Sequence, residues 1–420
     1  MSQLAQPVAA DNPARLRQEI SRLAAMPEVR SASDWFRDQE GEFTRWQMDI
    51  ARIPAPPFGE MARADWLAER FRALGIGEVA RDGVGNVLGF RRGRRDEVVL
   101  ISAHIDTVFP ANTPLNIRRQ GTRLYGPGIS DNAAGVAALL AVASAIEHFP
   151  LLHDRSLLFI GNVGEEGEGD LRGMRHIFSE SAWKDRIESS LVIDGAGTDT
   201  IVAEALGSRR FEVIVRGPGG HSWSDFGVPN PIAALGRAIH LFSQTRVSSS
   251  PKSTFNIGVI RGGTSVNSIP ESADMRVDIR STSTAEIDRI EGELRRAIDQ
   301  SIQDEELRAR NKRGAADART RLTAEVAGIG NRPGGELGAH ARAFDVARAV
   351  DSYLGNAAEV QRASTDANIP ISMGRDAIAI GAGGNGGGAH TLQEWFDASG
   401  RSFGLTRILL MVLALAGTGR

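Results

Sequence analysis

Strand-like and helical patterns alternate from about residue 98, stop near Gly207, and resume after Gly334. That interruption restricts the possible folds more than any other feature of the chain. The runs at 98–103, 156–161 and 191–194 are short, apolar and rich in β-branched residues, as buried strands are. The stretch 133–149 is Ala-, Val- and Leu-rich and apolar on most sides, so it reads as a helix buried against a sheet. Such alternation argues for an α/β layer sandwich. Between the breaks the order is different. A strictly alternating strand at 211–216 is followed by a helix at 231–243, strands at 254–261 and 273–281, a helix at 285–302 and a strand at 321–326. That β-α-β-β-α-β order is the ferredoxin-like unit, which is self-contained. Beyond Gly334 come a helix at 339–354, a strand at 376–380, a glycine-rich loop and an apolar closing helix around 408–416. The expectation is one α/β domain built from 1–207 and 329–420, with an inserted domain at 208–328.

The first fifty-two residues read as helices. Asn12-Pro13 looks like an N-cap followed by proline at the first helical position, opening a helix to about Met26. A second pattern runs from about 33 to 52, where Pro54, Pro56 and Pro57 stop it, and a third from about 61 to 74.

Composition narrows the functional classes. The chain has 420 residues, a net charge of −3 and no cysteine. Near-neutral charge demands no basic face, so nucleic acid is not an expected partner. Without cysteine there are no disulfides, thiolate metal sites or cysteine nucleophiles, and any metal must be held by His, Asp and Glu. The closing apolar run is about half the length of a membrane span. No basic region followed by an apolar core opens the chain, so a cytoplasmic protein with no membrane partner is expected.

The chemistry-bearing residues fall where strands end. His104 and Asp106 leave the strand at 98–103; alternation places both side chains on one side, so an imidazole could take a metal while a carboxylate holds its other nitrogen. The same pattern also suits a hydrogen-bonded strand-end histidine. Asp131 precedes the buried helix, either as its N-cap or as a carboxylate able to bridge two cations. Glu165 and Glu166 follow the strand at 156–161 among glycines, as a solvated turn or as a ligand beside a general base. Asp194 ends the next strand, where it could also begin a turn. His390 follows a glycine-rich loop that lacks the Lys-Ser/Thr pair of a phosphate cradle. Together His104, Asp131, Glu166, Asp194 and His390 make five candidate ligands at one predicted sheet edge, enough for a two-metal site. The remaining histidines, His148, His153, His176, His240 and His340, fit no cluster.

These motifs are specific: Ala-His-Ile-Asp-Thr-Val at 103–108, Gly-Ile-Ser-Asp-Asn at 128–132, Gly-Glu-Glu-Gly at 164–167, Asp194, Gly-Gly-His-Ser at 219–222 and Gly-Gly-Ala-His-Thr at 387–391. From roughly Arg52 onward the chain resembles the dinuclear zinc exopeptidase and deacylase family. That family includes tripeptide aminopeptidase T, carboxypeptidase G, aminoacylase, acetylornithine deacetylase and succinyl-diaminopimelate desuccinylase. Ser364-Thr365-Asp366-Ala367-Asn368 places it nearest the aminopeptidase T-like branch. The resemblance implies a mixed-sheet zinc-exopeptidase catalytic domain with an inserted α+β ferredoxin-like dimerisation (lid) domain, working as a homodimer. It implies two divalent ions, zinc before cobalt or manganese. His104 and Asp194 would bind one, Glu166 and His390 the other, with Asp131 bridging through a link to Asn132 that is often cis. Asp106 would orient His104, and Glu165 would be the general base. His221 would reach the partner subunit's site and hold the oxyanion, while Asn267 and Arg280 would hold substrate.

An aspartate at position 194 leans the expected substrate towards small peptides with a free α-amine. The alternatives are an N-acyl- or N-carbamoyl-amino-acid amidohydrolase and, from another class, a metal-stabilised binding protein without turnover. Retention of Glu165 argues against the last.

Overall fold

The computed structural model describes residues 13–314, 318–338 and 341–418. Asn12, expected as an N-cap, and Ala339 and His340 lie outside them. The chain divides into two compact units, 1–205 with 336–420, and 206–335.

A mixed sheet organises the first unit. Its strands run in the order Glu78–Arg81, Val87–Arg91, Arg155–Asn162, Arg95–His104, Ile187–Ile193, Asp376–Ile380, Thr200–Ala205. The four central strands, Arg155–Asn162 through Asp376–Ile380, are mutually parallel. Val99, Ile101 and Ala103 point into a core shared with the helices Ala133–His148 and Arg401–Ala416, whereas Val98 and Leu100 point into a second core with Arg172–Ser179. Covered on both faces, parallel strands read as continuous apolar runs, which is why they were visible in the sequence.

Ala133–His148 is buried along nearly its whole length. Its N-cap is Asn132, whose Oδ1 accepts the Gly135 N–H at 3.1 Å, so Asp131 is not needed for capping. The Asp131–Asn132 peptide is cis. The expected single helix at 33–52 is two helices, Pro27–Asp38 and Glu40–Ala51, broken at Gln39. The break lets Phe36 and Phe43, both fully buried, meet at a ring separation of 6.2 Å. Among the described residues no helix is long and apolar enough to cross a membrane.

The second unit has a four-stranded antiparallel sheet in the order Ser253–Gly262, Ser272–Ser281, Gly207–Arg216, Thr323–Arg332, with the helices Pro231–Ser243 and Thr284–Arg313 packed on it. This is the ferredoxin-like order. Three elements outrun their expected lengths, the first strand by beginning already at Gly207. The second helix continues to Arg313 in a charged stretch whose buried face is Glu305 and Ala309, with no long apolar stripe, and Glu305–Arg308 and Glu306–Arg310 pairs support it. The last strand continues to Arg332 through an irregularity between Gly328 and Gly330, residues that hide strand character.

Candidate metal centre

Parallel pairing puts the carboxyl ends of the central strands on one edge, where open α/β sheets place their ligands. His104 pairs with Asn162, and Ile380 with Ile193. The loops that leave these strands carry Asp106, Glu165, Glu166, Asp194 and His390. Asp131 arrives from the entrance of the buried helix.

The structure brings all seven residues together. His104 Nε2 lies 3.1 Å from Asp131 Oδ1 and 3.6 Å from Asp194 Oδ1. His390 Nε2 lies 3.1 Å from Asp131 Oδ2 and 3.1 Å from Glu166 Oε1. Each oxygen of Asp131 therefore faces a different histidine. His104 is buried and His390 half exposed, so the cluster opens to solvent on the His390 side. Asp106, with no exposed surface, approaches His104 Nδ1 through its backbone oxygen at 3.2 Å and its carboxylate at 3.5 Å. Its carboxylate also accepts the N–H of Glu165 at 3.0 Å and of Glu166 at 2.8 Å. A single buried aspartate thus holds both the first histidine and the two-glutamate loop.

Close backbone approach explains two loop glycines. A Cβ at Gly386 would sit 2.5 Å from Ser130 Oγ, beside Asp131, and one at Gly381 would sit 2.4 Å from Ala196 O, two residues past Asp194. No other residue type fits either position without moving the backbone.

Protons balance this charge. Burial favours the neutral His104 ring, but the carboxylates of Asp106, Asp131 and Asp194 outweigh it and raise its pKa well above the ordinary value. Asp131 and Glu166 push His390 up to about 10. Burial would raise the Asp131 pKa, yet the two histidines hold it below the usual carboxylate range. Burial and the Asp131 charge raise Glu166, against the pull of His390.

The donor set fits divalent cations. His104, Asp131 and Asp194 form one group with ligand atoms within 4.8 Å of one another; Asp131, Glu166 and His390 form another; His104, Glu165 and Glu166 form a third. The first two share Asp131. Imidazole and carboxylate without thiolate suit zinc, cobalt or manganese.

The three remaining candidates lie in the second unit. His221 is exposed in a two-residue strand, Gly220–His221, paired with Ser268–Ile269. The Ser222 N–H donates to Asn267 O at 3.0 Å, which holds Asn267 beside His221. Arg280 is elsewhere, near the far end of the strand Ser272–Ser281, where its Nε donates to Asp278 Oδ2 at 2.7 Å. At about 3.3 Å per residue, the eight positions from Ser272 to Arg280 span roughly 26 Å. Within this unit, the structure joins His221 to Asn267, whereas Arg280 is hydrogen-bonded to Asp278 on another strand. Of the histidines assigned to no cluster, His148 stacks on Trp35 and His153 accepts from Arg91 Nε at 3.0 Å.

Sequence reasoning missed Glu394 and Arg63. Glu394 has no exposed surface and accepts three backbone N–H groups of the loop that carries Asp131. Burial, against those bonds, pushes its pKa up to about 7. Arg63 is also buried, and donates to Ile53 O at 2.8 Å and Ile105 O at 2.9 Å. Burial lowers its pKa to about 10, against the pull of Asp106 and Glu394. A signal existed for Arg63. It stands in the buried phase of its helix with Leu67 and Phe71, a position where an arginine needs partners. Glu394 had no comparable signal.

The sequence model of peptidase family M20/M25/M40 matches residues 100–412. Among curated relatives, a succinyl-diaminopimelate desuccinylase of Nitrosococcus oceani is 27% identical over 253 residues, 56% of this chain and 66% of that protein. Carboxypeptidase G2 of Pseudomonas sp. is 25% identical over 243 residues, 55% of this chain and 57% of that protein. These matches thus span between about half and two thirds of the relatives' own lengths. Among solved structures, aminopeptidase PepT of Bacillus cereus superposes with a TM-score of 0.69 at 18% identity, covering 90% of this chain and 99% of that one. Human carnosine dipeptidase 1 gives 0.69 at 15% identity, covering 92% and 98%. At such identities the structural likeness speaks to the fold.

Proposed function

The chain belongs to peptidase family M20/M25/M40, and from that membership we propose that it is a two-metal hydrolase of amide bonds in small peptides. One observation carries the reading: Asp131 offers one oxygen towards His104 and the other towards His390, with a further carboxylate beside each histidine. His104 and Asp194 would hold one divalent ion, most suitably zinc, Glu166 and His390 the second, and Asp131 would bridge them. Two ions held this way lower the pKa of a shared water and polarise a carbonyl.

The chain's own groups do the rest. Glu165 takes the proton from the attacking water and returns it to the leaving amine. Asp106 fixes the backbone of Glu165 and Glu166 through two hydrogen bonds, so base and ligand keep their spacing. His221, with Asn267 beside it, would serve the site of a second copy of the chain by stabilising the oxyanion, which makes the working form a homodimer. Arg280 would take a substrate carboxylate.

The substrate reading leans to di- and tripeptides with a free α-amine. The match to a desuccinylase supports a second reading, hydrolysis of N-acyl or N-carbamoyl amino acids. The test is a panel of small peptides, N-acyl and N-carbamoyl amino acids, assayed after loading with zinc, cobalt or manganese. Peptide turnover supports the first reading and acyl or carbamoyl turnover the second. No turnover with any metal leaves a binding protein and overturns both.

A further inference from the structure

Asp131 is delivered by a loop, and a loop must be held if its carboxylate is to stand between two cations. Glu394 provides three grips. Its Oε2 accepts the Gly128 N–H at 2.9 Å, and its Oε1 accepts the N–H groups of Ser130 and Asp131, both at 2.7 Å. The Glu394 backbone oxygen adds a fourth tie, to the Gly126 N–H at 2.9 Å. Arg63 donates to the backbone oxygen of Ile105, the residue before Asp106, at 2.9 Å.

The arrangement repeats. Asp106 grips the backbone of Glu165 and Glu166, and Glu394 grips the backbone of Gly128, Ser130 and Asp131. Glu394 is also only four residues past His390, so one segment supplies the second histidine and secures the bridging loop.

We propose that Glu394 is a positioning residue that sets the bridging carboxylate and so fixes the affinity of the site for its ions. This rests on the two-metal reading above. A carboxylate is required because all three groups it meets are donors. An amide can turn its oxygen to Ser130 and Asp131 only by pressing its NH2 against the Gly128 N–H. Groups that orient metal ligands typically change affinity by about 10–100-fold when lost.

The test is a cobalt(II) titration of metal-free protein, read by visible absorption, for wild type, Glu394→Gln and Glu394→Ala. Circular dichroism melts of the same metal-free samples are read alongside. The expected result is two ions bound by wild type, with affinity for at least one weakened about 10–100-fold in Glu394→Gln. Glu394→Ala should bind more weakly still. If Glu394→Ala does not fold, the Glu394→Gln isotherm decides. Wild-type isotherms from folded variants, with only the melting temperature lowered, would make Glu394 a merely structural residue and overturn the proposal. A wild-type protein that takes up fewer than two ions would instead sink the two-metal reading, and the proposal with it.

Discussion

Glu166 Oε1 and His390 Nε2 stand 3.1 Å apart across 224 residues of sequence. Asp131 and Glu166 together keep His390 protonated up to about pH 10 in the metal-free protein, and His104 is likewise raised well above its ordinary value. A cation needs both imidazoles neutral. Loading at pH 7.5 should therefore expel protons, at least the one on His390, and affinity should rise with pH as that cost falls. Calorimetric titration with zinc in buffers of different ionisation enthalpy measures the number directly. A buffer-independent enthalpy would refute it.

Glu165→Gln removes the base without touching His104, Asp131, Asp194, Glu166 or His390. Turnover should fall by about 10²–10⁴-fold while two ions per chain are retained. Elemental analysis beside kcat separates loss of base from loss of metal. Unchanged kcat would assign proton transfer elsewhere.

The trans role given to His221 predicts complementation. His221→Ala should lose about 10²–10³-fold in kcat. Mixed with Glu165→Gln chains and allowed to exchange subunits, it should regain activity, because one site in each hybrid has both Glu165 and a partner's histidine. A monomer by light scattering, or no recovery on mixing, would remove the partner from the mechanism.

Asp366 has no exposed surface, and Asn162 Nδ2 donates to its Oδ2 at 2.6 Å. Burial raises its pKa to about 7 from an ordinary value of 3.8. A carboxyl whose folded pKa is raised loses stability as pH climbs from about 4 to 7, because the unfolded chain ionises first. Asp366→Asn should therefore gain on wild type across that interval. Urea unfolding of the metal-free proteins at pH 5 and pH 8 gives the comparison. A difference that does not change with pH would contradict the assignment.

Asp351 and Arg407 are both buried and joined by two bonds, Nε to Oδ1 at 2.6 Å and Nη2 to Oδ2 at 2.9 Å. Asp351→Ala leaves a guanidinium without its counter-charge, and should cost about 3–5 kcal/mol in chemical denaturation. A loss below about 1 kcal/mol would mean that water or another carboxylate reaches Arg407, as at an exposed pair.

Local pattern was enough for many elements. The apolar run of Pro231–Ser243 marks it as a helix, and the structure adds its cap, Asn230, whose Oδ1 accepts the Ile232 and Ala233 N–H groups. Asp376–Ile380 is buried on both faces, so its run of apolar residues marks it. Where charge pairs or glycines replace apolar periodicity, as at 303–313 and 328–332, length was lost. The break at Gln39 was invisible because it serves the contact of Phe36 with Phe43, which no local pattern records.

The order of residues alone determined which side chains stand at strand exits, and so the membership of the cluster from His104 to His390. Folding decided how they are held. Asn132 takes the helix cap and leaves Asp131 to its two histidines. Glu394 and Arg63 reach backbone groups far away in the chain, at Ser130 and Ile105. The physical reason is that periodicity encodes which face of an element is buried, whereas a carboxylate's choice of distant N–H donors depends on strand pairing and loop approach, which exist only once the chain has packed.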